Sequence, residues 1–148
     1  MSRFVILATM AVLMCAGTVF AASDPILARQ QLMEDTRDAA KVIGGMLKGD
    51  KEFDAEAAMQ AFEVWKKTAI EAGSLFPEGS GVGHDTEAKV TIWTDSAGFE
   101  SELDQFATRV DTALAANPDS LEALKSIAGP IFQACKSCHE GYRVEKEN

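Results

Sequence analysis

The chain has 148 residues, 47% of them hydrophobic and 25% charged, which is the balance of one globular domain and argues against a disordered chain. Its 23 Asp and Glu outnumber 14 Lys and Arg, for a formal charge of −9. Such a surface repels phosphate, so a nucleic-acid partner is disfavoured. The apolar residues are mostly Ala, Leu, Ile, Val and Met, a mixture that suits helices better than strands.

Residues 1–21 read as a secretory signal peptide. Arg3 supplies a short positive start and residues 4–16 form an apolar run. Val19-Phe20-Ala21 then resembles a small-residue cleavage site, and Ala22 offers a second cut. The run is short for a bilayer, so no membrane span is expected after processing. Cys15 lies inside it, preceded by Leu13-Met14 rather than by the small residues that lipidation requires. Residues 22–148 are the expected domain. Cleavage removes Arg3 and no acidic residue, leaving 13 cations against 23 acids, or −10. Two cysteines remain, Cys135 and Cys138. In an exported chain such a pair is a disulfide, a metal site or a haem attachment.

Four long helices are expected. The first covers about residues 24–48, capped by Asp24 with Pro25 in its first turn, and Gly49-Asp50 ends it. Ile26, Met33, Ala40, Ile43 and Leu47 would share its apolar face. Gly44-Gly45 weaken it and suggest close packing or room for a cofactor. The second covers about residues 54–72, with Asp54 as cap and Ala55, Met59, Phe62, Trp65 and Ala69 as its stripe. A glycine-rich loop over residues 73–85 follows. A short turn of helix is expected over residues 87–93. The third long helix covers about residues 95–116, with Phe99, Leu103, Phe106, Val110 and Leu114 in register, and Asn117-Pro118 stops it. Asp119-Ser120-Leu121-Glu122 resembles a capping box for the fourth, about residues 120–143, which Pro130 should kink. Mostly short connections between amphipathic helices imply an all-α fold, an antiparallel four-helix bundle.

The chemistry sits in Cys135-Lys136-Ser137-Cys138-His139, a CxxCH motif. On a helix these positions share one face, so two thiols can add to the vinyl groups along one porphyrin edge while the adjacent imidazole reaches iron. A thioredoxin-like redox pair would sit near a βαβ pattern, which is lacking. Zinc needs about four ligands, and only His84 remains to join the motif. A structural disulfide is the third alternative. Covalent attachment of one haem c, with His139 as iron ligand, accounts for the whole motif.

The motif lies near the C-terminus and continues into Glu140-Gly141-Tyr142-Arg143. With Arg29-Gln30-Gln31-Leu32-Met33, Lys48-Gly49, Phe53-Asp54, Leu75-Phe76-Pro77, Ile92-Trp93 and Phe99, it resembles the class II cytochromes c, the cytochrome c prime group, over essentially the whole mature chain. The resemblance implies a bundle with haem between its helices, in the bacterial periplasm. That group has two branches. In one, iron is five-coordinate, an apolar side chain of the first helix covers its open face, and nitric oxide or carbon monoxide binds. In the other, a methionine of the first helix ligates iron, and the protein carries electrons. The matching residue is Met33, and a thioether is a soft, neutral ligand that stabilises ferrous iron.

The expected function is one-electron transfer, with His139 and Met33 on iron, and gas binding at five-coordinate iron is the alternative. No enzyme constellation is visible. Arg29 and Arg143 are candidates to hold the haem propionates, because guanidinium forks suit carboxylates, and Gln30 is a candidate haem contact. Tyr142, Phe76, Trp93 and Phe106 fit a pocket lining or a core equally well. His84 and Arg37 read as surface residues. The expected partner is a redox protein with a basic patch. Members of the group often dimerise through their first two helices, so a homodimer is the expected assembly.

Overall fold

The computed structural model describes residues 24–145. The leader expected over residues 1–21 and its cleavage sites lie outside them. Helix α1 spans Pro25–Lys48, α2 Ala55–Glu71, a one-turn α3 Thr91–Thr94, α4 Ser96–Ala116 and α5 Leu121–Tyr142. A 3₁₀ turn, Ala72–Leu75, extends the end of α2. The long helices α1, α2, α4 and α5 make the bundle.

Local chemistry sets the ends. The Asp24 carboxylate accepts from the Ile26 and Leu27 amides, and Pro25 occupies the first turn, where its missing N–H costs nothing. Gly49 closes α1 in the left-handed region (φ 80°), and its N–H reaches the Gly45 and Met46 carbonyls. Asp54 caps α2 through the Ala57 amide, and Asp95 caps α4 through Gly98. At α5, Ser120 accepts from Ala123. The cap therefore falls one residue later than a box starting at Asp119 requires, and Glu122 lies too early in the helix to close one. α5 also runs continuously through Pro130, which lies on its exposed side.

The buried residues divide the bundle along its length. Ala39, Ile43 and Met46 come from the second half of α1, and Ala58, Ala61, Phe62 and Trp65 from the first half and middle of α2. Phe106, Val110 and Ala113 come from the second half of α4, and Leu124, Ala128, Ile131 and Ala134 from the first two-thirds of α5. Those halves meet only if neighbouring helices run antiparallel, as expected. Trp65 is the hub: it is fully buried, its Nε1 donates to the Thr36 carbonyl at 3.1 Å, and its ring lies 5.7 Å from both Phe62 and Phe132.

The stripe on α1 differs from the expected one. Ile26 and Ile43 are buried, but Leu32, Ala39 and Met46 complete the seam, while Met33, Ala40 and Leu47 flank it half-buried. The expected stripe is one residue out of phase: the buried seam repeats through Leu32, Ala39 and Met46, and the apolar residue after each lies at its flank. Gly44 has no atom close to where a Cβ would stand and Gly45 lies against the Lys51 stem, and neither lines the cleft described below.

Trp65→Ala is expected to lower stability by about 3–5 kcal/mol, the usual cost of removing a fully packed aromatic. Equilibrium urea unfolding of the haem-loaded protein measures this, and a loss within about 1 kcal/mol would mean the core can close around the gap.

Candidate haem cleft

Toward the other end of the bundle the helices part. α1 meets α5 only sparsely, and a cleft of about 730 Å³ opens among α1, α4, α5 and the long loop. Ile92, Phe99, Leu103 and Phe76 give it apolar walls. Gln31, Glu34, Arg37, Asp85, Glu87 and Arg143 bring polar groups to it. That volume and that mixture suit a large, mostly apolar cofactor with a polar edge.

Most sequence-selected residues converge here. Met33 lines the cleft from α1, and Cys138 and His139 line it from α5. Arg29, Gln30, Tyr142 and Arg143 line it as well. Cys135 is a half-buried free thiol one turn earlier, packed against the core rather than on the cleft wall. Burial pushes the Cys138 thiol up to about 11, with Glu102 and Cys135 adding to the effect, and burial raises Cys135 too. Burial, then Arg143, lowers the pKa of His139, which favours the neutral imidazole that a metal requires. Ser137, between the cysteines, donates to Glu102 at 3.1 Å and ties the motif to α4. A thiol on the wall with a second one turn earlier, an imidazole held toward its neutral form and a largely apolar cleft fit a covalently held haem.

The arginines have other partners besides. Arg29 is buried, and its NH1 donates to the Leu75 carbonyl (3.0 Å) and Ser80 Oγ (2.9 Å). Its NH2 donates to the Ser80 carbonyl (2.6 Å) and Thr86 Oγ1 (2.7 Å), and the group lies 4.7 Å from the Phe76 ring centroid. All four terminal N–H groups are thus engaged, which leaves Nε–H for any further acceptor. Gln30 donates to the His84 carbonyl at 2.7 Å. Arg143 pairs with Glu87 at 3.4 Å. His84 is exposed, as expected, and its Nε2 lies 3.1 Å from an Asp24 oxygen. Arg37 is exposed and pairs with Glu34. Phe106 belongs to the core, and Trp93 lines a smaller neighbouring cavity of about 320 Å³.

The family model described as Cytochrome C' matches residues 24–143. The chain belongs to the cytochrome c' family. A cytochrome c' of Rhodopseudomonas palustris is 32% identical over 142 residues, covering 95% of this chain and 97% of that protein. A cytochrome c-556 of the same species is 33% identical over 147 residues, with 97% of each covered. Among solved structures, cytochrome c' from that species superposes with a TM-score of 0.81 at 29% identity, covering 85% of this chain and all of its own. A nitric oxide complex of a point mutant of the Alcaligenes xylosoxidans cytochrome c prime superposes at 0.68 with 26% identity, covering 85% and 100%. The protein is therefore a monohaem c-type cytochrome whose cofactor is one covalently bound haem c. Among its described residues no helix is long and apolar enough to cross a membrane.

Among the cleft residues that sequence reasoning missed are Asp85, Thr86, Glu87 and Ala88, which follow the glycine-rich stretch. A short irregular segment carries no periodic signal, so only the structure brings them to the wall. It also missed the latch at the head of α4. Tyr142 OH donates to Asp95 Oδ2 at 2.9 Å, and its ring stacks edge-on with Phe99. A Cβ on Gly98 would run into both the Asp95 carboxylate and the Tyr142 hydroxyl, so an alanine there displaces the latch.

Burial, together with the Asp95 carboxylate, pushes the Tyr142 phenol up to about 12. Because the folded pKa lies above the unfolded one near 10, the latch stabilises the fold fully below about pH 10 and loses its effect as pH rises toward 12. Tyr142 is the single tyrosine, so the phenolate absorbance reports it alone. Gly98→Ala is expected to return its titration toward about 10, the ordinary tyrosine value. An unchanged midpoint in that variant would mean the hydrogen bond does not set it.

Proposed function

We propose that this cytochrome is a one-electron carrier of the bacterial periplasm, delivered there by a leader over residues 1–21 that is cleaved at 21 or 22. Cys135 and Cys138 would hold the haem through thioether bonds, and His139 and Met33 would be the ligands of its iron. The observation that carries this reading is that Met33 of α1 and His139 of α5 line one cleft. When bound, haem supplies a ferric/ferrous couple. The chain's part is to hold that couple in fixed surroundings. His139 is anchored within α5, and Met33 offers a neutral thioether that favours the reduced state. Arg29 through its Nε–H, Gln30 and Arg143 would meet the polar edge of the cofactor, a reading supported by their all lining the cleft. No substrate is transformed, so the protein is not an enzyme.

The acidic surface would steer a redox partner bearing a basic patch, and a homodimer through α1 and α2 is the proposed assembly. The second reading is gas binding at five-coordinate iron, with Met33 as a lid. It is favoured by one neighbour's being a nitric oxide complex.

Absorption spectra of the haem-loaded protein, with and without carbon monoxide, separate the two. A carrier shows a far-red sulfur-to-iron band and low-spin ferrous bands that ignore the gas, and Met33→Ala abolishes that band. A high-spin spectrum that shifts on adding carbon monoxide removes Met33 from the iron and establishes the second reading. Steering is tested separately: reduction by a basic partner should slow as salt rises past the ionic strength where the Debye length is about 10 Å. A salt-independent rate would sink it.

A further inference from the structure

The loop between the 3₁₀ turn and α3 is held at both ends by different helices. At one end α1 grips it. Arg29 donates four hydrogen bonds to Leu75, Ser80 and Thr86, Gln30 holds the His84 carbonyl, and His84 returns to Asp24. Ser80 is itself buried and donates to the Pro77 carbonyl at 2.8 Å. At the other end the loop is zipped to the last turn of α5. The Lys89 amide donates to the Tyr142 carbonyl (3.0 Å) and the Val144 amide to the Glu87 carbonyl (2.7 Å). Ala88 and Arg143 form an antiparallel bridge, and the Arg143 guanidinium pairs with Glu87.

Where the contacts to α1 give way to those to α5, His84 and Asp85 both take left-handed backbone (φ 47° and 52°), which most side chains disfavour and which His and Asp adopt more readily. Met33 is one turn beyond Arg29 on α1, and His139 is one turn before Arg143 on α5. α1 and α5 touch each other only sparsely.

We infer that residues 75–89 are a strap that fixes the distance between the Met33 and His139 helices, with Arg29 as its positioning residue. The inference rests on the placement of Met33 and His139 as the iron-facing pair. A taut strap holds Met33 within reach of iron, and a slack one lets α1 drift and opens the site to small ligands. The guanidinium fork is what the role demands, because a lysine has the charge but cannot serve four divergent acceptors.

The test uses the haem-loaded protein in two variants. Arg29→Lys keeps the charge and loses the fork. The pair Ser80→Ala with Thr86→Val leaves Arg29 in place and removes two of its acceptors, and it carries the test if the first variant fails to fold. Backbone hydrogen exchange over residues 78–88 should accelerate by about tenfold, while the core half of α2 stays unchanged. In the same samples the sulfur-to-iron band should weaken and carbon monoxide should associate several-fold faster.

Unchanged loop exchange overturns the inference. So does a loosened loop with the wild-type spectrum and wild-type carbon monoxide rate. If the unsubstituted protein has no sulfur-to-iron band, the methionine-ligation reading falls, and the strap is then judged on the carbon monoxide rate alone: faster entry upholds it and an unchanged rate overturns it.

Discussion

A helical bundle that must admit a flat cofactor cannot close along its whole length. Here the conflict is resolved by segregation. The large buried side chains, Trp65, Phe62, Ile43, Met46, Leu124, Ile131 and Val110, gather toward one end, where all four long helices meet. Toward the other end α1 and α5 stand apart, and the gap is walled by one side of α1, by residues of α4 and α5, and by the loop. Everything said of the site follows from this division. The packed end supplies the hydrophobic free energy, and the open end is free to be shaped by function.

The open end then needs its own fastening, and it is polar. Arg29, the Tyr142–Asp95 latch and the Ser137–Glu102 contact are hydrogen bonds to charged groups at the border of the cleft. Such bonds are directional where apolar packing is not, so they set angles and separations that a hydrophobic contact would leave loose. A bundle end held this way can keep a cavity without collapsing into it.

The fold was legible because its signals are local and repetitive. Asp24 and Asp54 mark helix starts and Gly49 and Asn117 helix ends, and the α4 stripe follows most of its packed face, whereas on α2 only Phe62 and Trp65 of the expected stripe are buried, with Ala58 and Ala61 beside them. The CxxCH motif was legible for the same reason: its geometry is contained in one helical turn. What the sequence hid were relations between distant residues. Arg29 looked like a charge available for a carboxylate, yet its partners lie 46 to 57 positions away in a loop with no periodicity. The α1 stripe lies one residue from its expected phase because Leu32 and Met33, Ala39 and Ala40, and Met46 and Leu47 are adjacent apolar pairs at one spacing, and the pattern alone does not choose between them.

That same offset has a consequence for how such a scaffold can diverge. Met33 flanks the core seam instead of forming it, with Leu32 taking the packed position beside it. A change at position 33 therefore leaves no hole among the tightly packed residues and asks little of the stability of the whole. The side chain that lines the cleft at this point can thus be exchanged almost independently of the side chains that keep the chain folded. The lining of the open end is in this sense free to vary over an interior that stays as it is.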